Sequence, residues 1–177
     1  VIEMAESSSS TGAVSANNGG FTWEGMDPAM EYSDFGCTWI SPEYGKVIGW
    51  KIKEGRDVSR DYSTDSTAIL VNEAAVRFMN VKEPVGKKVT WDGKDYTIVG
   101  VVSDMLTGSP YENVRPNVWF VDYGDIFWIN LRMNPAMSVQ ESLELTRQAF
   151  AKVIPSVPFT YKFANDIYQA KFNNEVR

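Results

Sequence analysis

The stretch EGRDVSRDYSTDSTAILVNEAAVRFM, Glu54 to Met79, carries five acidic residues, four of them ahead of a short β-rich run and a helix-forming segment. Carboxylates crowded in this way gather a metal ion, carry out acid–base chemistry, or sit on a solvated turn. Asp57, Asp61 and Asp65 are four apart, which would align them on a helix, but Gly55, Ser59, Ser63 and Thr64 favour a loop. A dedicated calcium loop would need an Asp-x-Asp-x-Asp-Gly pattern and a distal Glu, and neither is there. The acids are therefore expected to be scaffold or surface: Asp57→Ala should lower stability, while Asp61→Ala and Asp65→Ala should do little. TAILV predicts a strand over 67–71, and Asn72 is a good N-cap for a helix over 73–79. Glu73 and Arg77, four apart on that helix, suit an ordinary surface pair.

Downstream, KKVTWDGKDYTIVGVVSD places Asp92-Gly93 between two β-rich runs, the pattern of a tight hairpin. Its second arm, Tyr96 to Val102, is apolar on both faces and is expected to be central in its sheet. Gly86-Lys87-Lys88 lacks the first Gly and the Ser/Thr of a phosphate-binding loop, so a turn into the hairpin is the better reading. Asn117–Val121 predicts another strand. In FWINLRM, Phe127, Ile129, Leu131 and Met133 alternate with Trp128, Asn130 and Arg132, as in a strand that buries the first set. Ser138 with Glu141 forms a capping box for a helix over 138–153, with Val139, Leu143, Thr146, Phe150 and Val153 as its apolar stripe. Phe159, Tyr161 and Phe163 alternate as a further strand, and a last helix from about Asn165 carries Tyr168, Phe172 and Val176.

Upstream, ESSSSTGAVSANNGG, Glu6 to Gly20, reads as loop or linker. Phe21 and Trp23 suggest a strand ended by Asp27-Pro28, with a further strand around Cys37–Ile40 and a short helix around Pro42–Ile48. Strand, helix and hairpin followed by strand, helix and strand indicate an α+β architecture.

Composition narrows the chemistry. Seventeen basic against twenty-three acidic residues, net charge -6, is the wrong sign for neutralising nucleic acid, so no nucleic-acid partner is expected. Histidine is absent, which removes the commonest metal ligand and any Ser–His–Asp or Cys–His pair. A single cysteine, Cys37, can make no internal disulfide and suits a small core hydrophobe. No catalytic, metal or cofactor residue is assigned. Six tryptophans and eight tyrosines leave room for an aromatic-lined binding site. Trp119 and Trp128 lie inside strand patterns, whereas Trp23, Trp39, Trp50 and Trp91 lie nearer turns and are expected to be more exposed. No run reaches the ~18 apolar residues that span a bilayer. Val1, Ile2, Glu3 and Met4 resemble neither a start site nor a signal peptide, so the chain is expected to be cut from something longer.

Between Gly49 and Asp104 the sequence resembles the extracytoplasmic core domain of MacB-type, FtsX-like ABC transporter permeases. The resemblance rests on four elements in order: a Gly-x-x-hydrophobic-x-x-Gly-Arg-Asp turn at Gly49 to Asp57, Val-Asn-Glu-Ala at Val71 to Ala74, Pro-hydrophobic-Gly-Lys at Pro84 to Lys87, and hydrophobic-Val-Gly-Val-Val-x-Asp at Ile98 to Asp104. It implies mixed β-sheets with βαβ units in two interlocked lobes, one from 1–49 plus 117–177 and an inserted one from 50–116. It also implies a periplasmic loop of an inner-membrane protein. That protein's own transmembrane helices and a cytoplasmic ATPase are its partners, with a permease dimer and a periplasmic adaptor or substrate protein beyond them. Gly55, Arg56, Asp57, Asn72, Glu73, Gly86, Gly100 and Asp104 then become structural: Gly55 permits a tight turn, Arg56 and Asp57 tie it, Asn72 caps the helix, and Gly86 and Gly100 allow close backbone packing. The alternative is an aromatic-lined extracellular ligand-binding or sensor module with no ATPase link.

Overall fold

The computed structural model describes residues 1–105, 113–124 and 126–173. Its strands are β1 (Glu3–Ser7), β2 (Ala16–Asn18), β3 (Thr22–Trp23), β4 (Phe35–Ile40), β5 (Ile52–Gly55), β6 (Ala68–Asn72), β7 (Lys88–Trp91), β8 (Lys94–Val102), β9 (Asn117–Val121) and β10 (Trp128–Arg132). Its α-helices are α1 (Tyr44–Ile48), α2 (Glu73–Met79), α3 (Val139–Val153) and α4 (Ala164–Asn173). The strands join in one sheet of order β10-β1-β4-β9-β6-β8-β7-β3, with β2 beside β4 and β5 beside β8. Parallel pairs β4–β9 and β6–β8 are set among antiparallel ones, so the sheet is mixed, as an α+β chain requires.

The central strands are apolar on both sides because both sides are covered. On β6, Ile69 and Val71 join one core cluster while Ala68 and Leu70 join the other; on β9, Val118 and Phe120 face the first and Trp119 the second. Ala75 and Met79 of α2 close the first face, and Tyr44 of α1 closes the second. A Val, Leu or Ile side chain buried this fully contributes about 2 kcal/mol. β6 runs into α2 without a loop, and the Asp92-Gly93 turn has both residues at positive φ, 49° and 71°, as a two-residue hairpin demands.

Several expectations are corrected. Glu6–Gly20 is loop over most of its length, but the end of β1 and the three residues of β2 fall within it because β10 and β4 supply their ladders. Ser7 and Ser9 turn inward, with Ser7 Oγ donating to the Ser9 carbonyl (2.7 Å) and accepting from Asn130 Nδ2 (2.8 Å). That polar pairing inverts β10. Asn130 is the buried residue, while Phe127 and Ile129 are 77% and 52% exposed. The expected strand at Phe159–Phe163 does not form a ladder; instead the rings of Phe150, Phe159, Tyr161 and Phe163 contact one another in series at 5.4–5.8 Å. Helix α3 forms with its Ser138 cap, but Val139 and Val153 at the ends of its stripe are exposed. Val176, expected on the last helix, lies outside the described residues.

The tryptophans near turns are also more covered than expected. Trp23 is buried, and Trp39, Trp50 and Trp91 are half-buried. Three of these four find an acceptor for the indole N–H: Trp23 at the Met79 carbonyl (3.2 Å), Trp50 at Asp57 Oδ2 (2.7 Å) and Trp91 at the Gly19 carbonyl (3.1 Å).

Candidate functional site

The acid-rich stretch folds as a clamped turn. It leaves the sheet at Gly55, whose φ is +70° and where a Cβ would lie 2.2 Å from the Val99 carbonyl oxygen. Only glycine fits such a position. Arg56 then reaches forward nine residues: Nη2 donates to Asp65 Oδ1 (2.7 Å) and Nη1 to Asp65 Oδ2 (2.8 Å), a two-pronged fork. Nη1 also donates to the Asp57 carbonyl (3.0 Å), and the Ser59 N–H donates to Asp65 Oδ2 (2.8 Å). The guanidinium carbon stands 3.8 Å from the centre of the Tyr62 ring.

Asp65 is thus buried and central, contrary to its expected place in solvent. Spacing alone gives no sign that its carboxylate folds back on Arg56. Burial pushes its carboxyl up, yet the Arg56 guanidinium and the Ser59 N–H more than offset this and hold it below the ordinary 3.8. Asp57 is half-buried and bonded to Trp50 Nε1 and the Val58 N–H (2.8 Å); here burial wins, and its carboxyl is raised above 3.8. Gly45 of α1 sits under this pair, since a Cβ there would fall 2.0 Å from Trp50 Nε1 and 2.2 Å from Asp57 Oδ2. Neither Trp50 nor Gly45 is singled out by local sequence pattern. Asp61 is exposed, as expected.

The two carboxylates give opposite pH signatures. Asp65→Asn is expected to cost about 2 kcal/mol at neutral pH, a figure discounted because Arg56 is one-third exposed. That difference is full above 3.8 and fades as the pH falls through the lowered value of the folded state. For Asp57 the folded carboxyl ionises later than the unfolded one, so its charge opposes folding as pH rises from 3.8 through the raised value. Asp57→Asn should therefore flatten that opposing slope, although it also disturbs the bond to Trp50. Urea unfolding from about pH 2.5 to 7 reads both effects, with Asp61→Ala within about 0.5 kcal/mol of the parent throughout. An acid limb unchanged by Asp65→Asn would refute the clamp.

The other motif residues meet at the start of α2. Asn72 is fully buried: its Oδ1 accepts from the N–H of Ala75 (2.9 Å) and of Asn117 (2.9 Å), and its Nδ2 donates to the Arg115 carbonyl (2.8 Å). Asp104 adds a second cap, Oδ1 accepting from the Ala74 N–H (2.8 Å) and Oδ2 from Arg77 Nη2 (2.6 Å), while its own N–H donates to Glu73 Oε2 (3.1 Å). Glu73 and Arg77 therefore do not pair with each other; both are bridged through Asp104. Gly86 differs from expectation too. A Cβ there would meet nothing within 4 Å, and its requirement is the φ of +88° that turns the chain into β7. Gly100, opposite Gly55, is the close-packed one, with a Cβ falling 2.1 Å from the Arg56 carbonyl oxygen.

The outer side of the clamped turn walls a cleft of about 500 Å³. Trp39, Tyr62, Tyr96, Phe120 and Tyr123 line it, with Arg60 and Lys94 at its edges. Arg60 is held there by Glu43 and lies 5.2 Å from the Tyr123 ring centre. No group of three His, Cys, Asp or Glu side chains among the described residues is placed to hold a metal ion.

With this geometry in view, the model of the MacB-like periplasmic core domain matches residues 2–156. The chain belongs to the MacB-like periplasmic core domain family. Three solved structures share the fold. The periplasmic region of MacB from Actinobacillus actinomycetemcomitans superposes with a TM-score of 0.67 at 15% identity, covering 96% of this chain and 75% of that one. A domain of a putative permease from Porphyromonas gingivalis gives 0.58 at 15%, covering 94% and 81%. The extracellular domain of the noncanonic ABC-type transporter YknZ from Gram-positive bacteria gives 0.62 at 13%, covering 89% and 78%. No curated protein sequence matches significantly. This MacB-like periplasmic core domain is thus a periplasmic part of a MacB/FtsX-type ABC permease, and none of its described helices is long and apolar enough to cross a membrane.

Proposed function

We propose that this MacB-like periplasmic core domain is a non-catalytic transmitter, converting ATP hydrolysis by a cytoplasmic subunit or domain into a rearrangement of paired periplasmic domains that handles a partner or substrate. The observation that supports it is the continuity of the sheet. β1 is bonded to β10 along its whole length, touches β4 at Ser7 and Ile40, and through β9 reaches the buried β6–β8 pair. A displacement applied at β1 therefore travels through backbone hydrogen bonds rather than through loops. The two-lobed division belongs to the same proposal, with the β9–β6 and β3–β7 ladders as the joints between the lobe of 1–49 plus 117–177 and the lobe of 50–116.

Spin labels test this in the full-length permease with its ATPase, reconstituted in lipid. Cys37 is wholly buried and its thiol is pushed up to about 11 by that burial, so labels directed to introduced cysteines will not compete with it. A label at Lys53→Cys should change its distance to the second copy between nucleotide-free and vanadate-trapped states. A Lys53→Cys/Asp92→Cys pair within one copy should keep its distance. An inter-copy distance distribution identical in both states refutes the reading.

The aromatic cleft supports a second reading, in which the domain itself binds a ligand: five rings suit the apolar faces of a sugar or peptide, and Arg60, Lys94 and Asp122 among the lining residues suit its polar groups. Chemical-shift titration with N-acetylglucosamine oligomers and with short apolar peptides checks it. Saturable shifts at Trp39 that vanish in Tyr96→Ala support the site; no saturable shift removes it.

A further inference from the structure

The opposite edge of the sheet from β10 carries a different surface. Between β3, the end of α2 and the turn into β7 lies a cleft of about 770 Å³ whose floor includes buried Trp23 and Met79. Three lysines, Lys82, Lys87 and Lys88, line it against one acid, Glu24, in a protein whose net charge is -6. Lys82 and Lys87 make no ion pair among the described residues, and Lys88 Nζ stands 4.0 Å from Asp95 Oδ2, with both side chains largely exposed. The lysines lie within one seven-residue stretch but in different local structure. Lys88 begins β7, Lys87 ends the Pro84–Lys87 turn, and Lys82 follows the left-handed Asn80 that terminates α2.

That placement, with two of the three lysines off the strands, distinguishes the cleft from an ordinary protected sheet edge. Lysines that discourage strand pairing need only stand on the edge strands themselves. Lys82 is on no strand, yet it lines the same hollow. The turn that presents Lys87 is also fixed, by Gly86 N–H to the Ile98 carbonyl (2.7 Å) and Lys87 N–H to the Pro84 carbonyl (3.1 Å).

We propose that this cleft docks an acidic peptide segment of a periplasmic partner protein, carboxylates on the three lysines and an apolar side chain over Trp23 and Met79. Concavity argues against a bilayer surface, which needs a flat or protruding basic patch. The lack of any arginine among its lining residues to grip one in a fork argues against a bare phosphate. The proposal extends the transmitter reading by naming the partner's chemistry, and its test needs no ATPase, so the two can fail separately.

Calorimetric and chemical-shift titrations of the 177-residue chain with a peptide of alternating Glu and Leu decide it. Binding is expected to be saturable, to weaken with added salt, and to be about tenfold weaker in Lys82→Gln/Lys87→Gln/Lys88→Gln, as loss of three rim charges predicts. These are exposed positions, so circular dichroism of the variant should be unchanged. Shifts should map to Trp23, Asn80 and Thr90. The proposal is overturned if the peptide fails to bind, if the triple variant binds it equally well, or if tripolyphosphate binds as tightly as the peptide.

Discussion

Gly100→Ala is expected to destabilise the domain by more than about 3 kcal/mol, and Gly86→Ala by only about 1–2 kcal/mol, although Gly86 has the left-handed backbone and Gly100 does not. The difference lies in what a methyl group would strike. At Gly100 it would meet the Arg56 carbonyl oxygen at 2.1 Å, the Arg56 carbonyl carbon at 3.1 Å and Leu70 Cδ2 at 2.9 Å. Backbone atoms cannot rotate away, and Leu70 is fully buried in the core. β5 would have to lift from β8, carrying Arg56 away from Asp65 and loosening the wall of the aromatic cleft. Urea unfolding gives the magnitudes. Amide spectra of any folded fraction should show shifts spreading from Arg56 to Ser59 and Tyr62. Equal costs for the two substitutions would show that β5 yields freely, and the turn would then be no rigid part of a transmitter.

What could be read in the sequence was local chemistry. Asn72 capping α2, the Asp92-Gly93 hairpin, Asn117–Val121 as a strand and Ser138 opening α3 each depend on neighbours within a few positions. The misreadings concern partners distant along the chain. Asp65 looked solvated because nothing in its spacing shows that Arg56, across a turn, folds onto it. Glu73 and Arg77 looked like partners because both stand on one helix, but Asp104, some thirty residues on, competes with better geometry. The serine-rich start looks like a linker because small hydroxyl side chains carry no apolar pattern, and Ser7 alone of its serines joins a strand, where Asn130 of β10 satisfies it. The same pairing explains why Phe127 and Ile129, the residues alternation assigns to the core, point outward. The aromatic cleft was legible only as an excess of tryptophan and tyrosine, since its walls come from four separate parts of the chain.

Asn72→Ala is expected to cost about 3–4 kcal/mol, well beyond the ~1 kcal/mol of an ordinary N-cap. The larger figure follows from its three bonds, two of them buried. One oxygen serves both the Ala75 N–H, at the first turn of α2, and the Asn117 N–H, which opens β9; the amide nitrogen holds the Arg115 carbonyl. Water does not reach this side chain, so truncation leaves the two buried donors unsatisfied, each such loss costing on the order of 1–3 kcal/mol but not additively, and frees the part-buried Arg115 carbonyl. Asn72→Ser separates the roles: its hydroxyl can cap Ala75 but is too short to reach Asn117 or Arg115 as well, so it should recover only about 1 kcal/mol. Native-state hydrogen exchange reads the same distinction residue by residue. In Asn72→Ala the amides of both Ala75 and Asn117 should lose protection, whereas in Asn72→Ser that of Asn117 alone should. Faster exchange confined to Ala75 in Asn72→Ala would reduce Asn72 to a helix cap and break the link between α2 and β9. With that link intact, Asn72 ties the end of β6 to both the first turn of α2 and the start of β9, beside the β6–β9 backbone ladder.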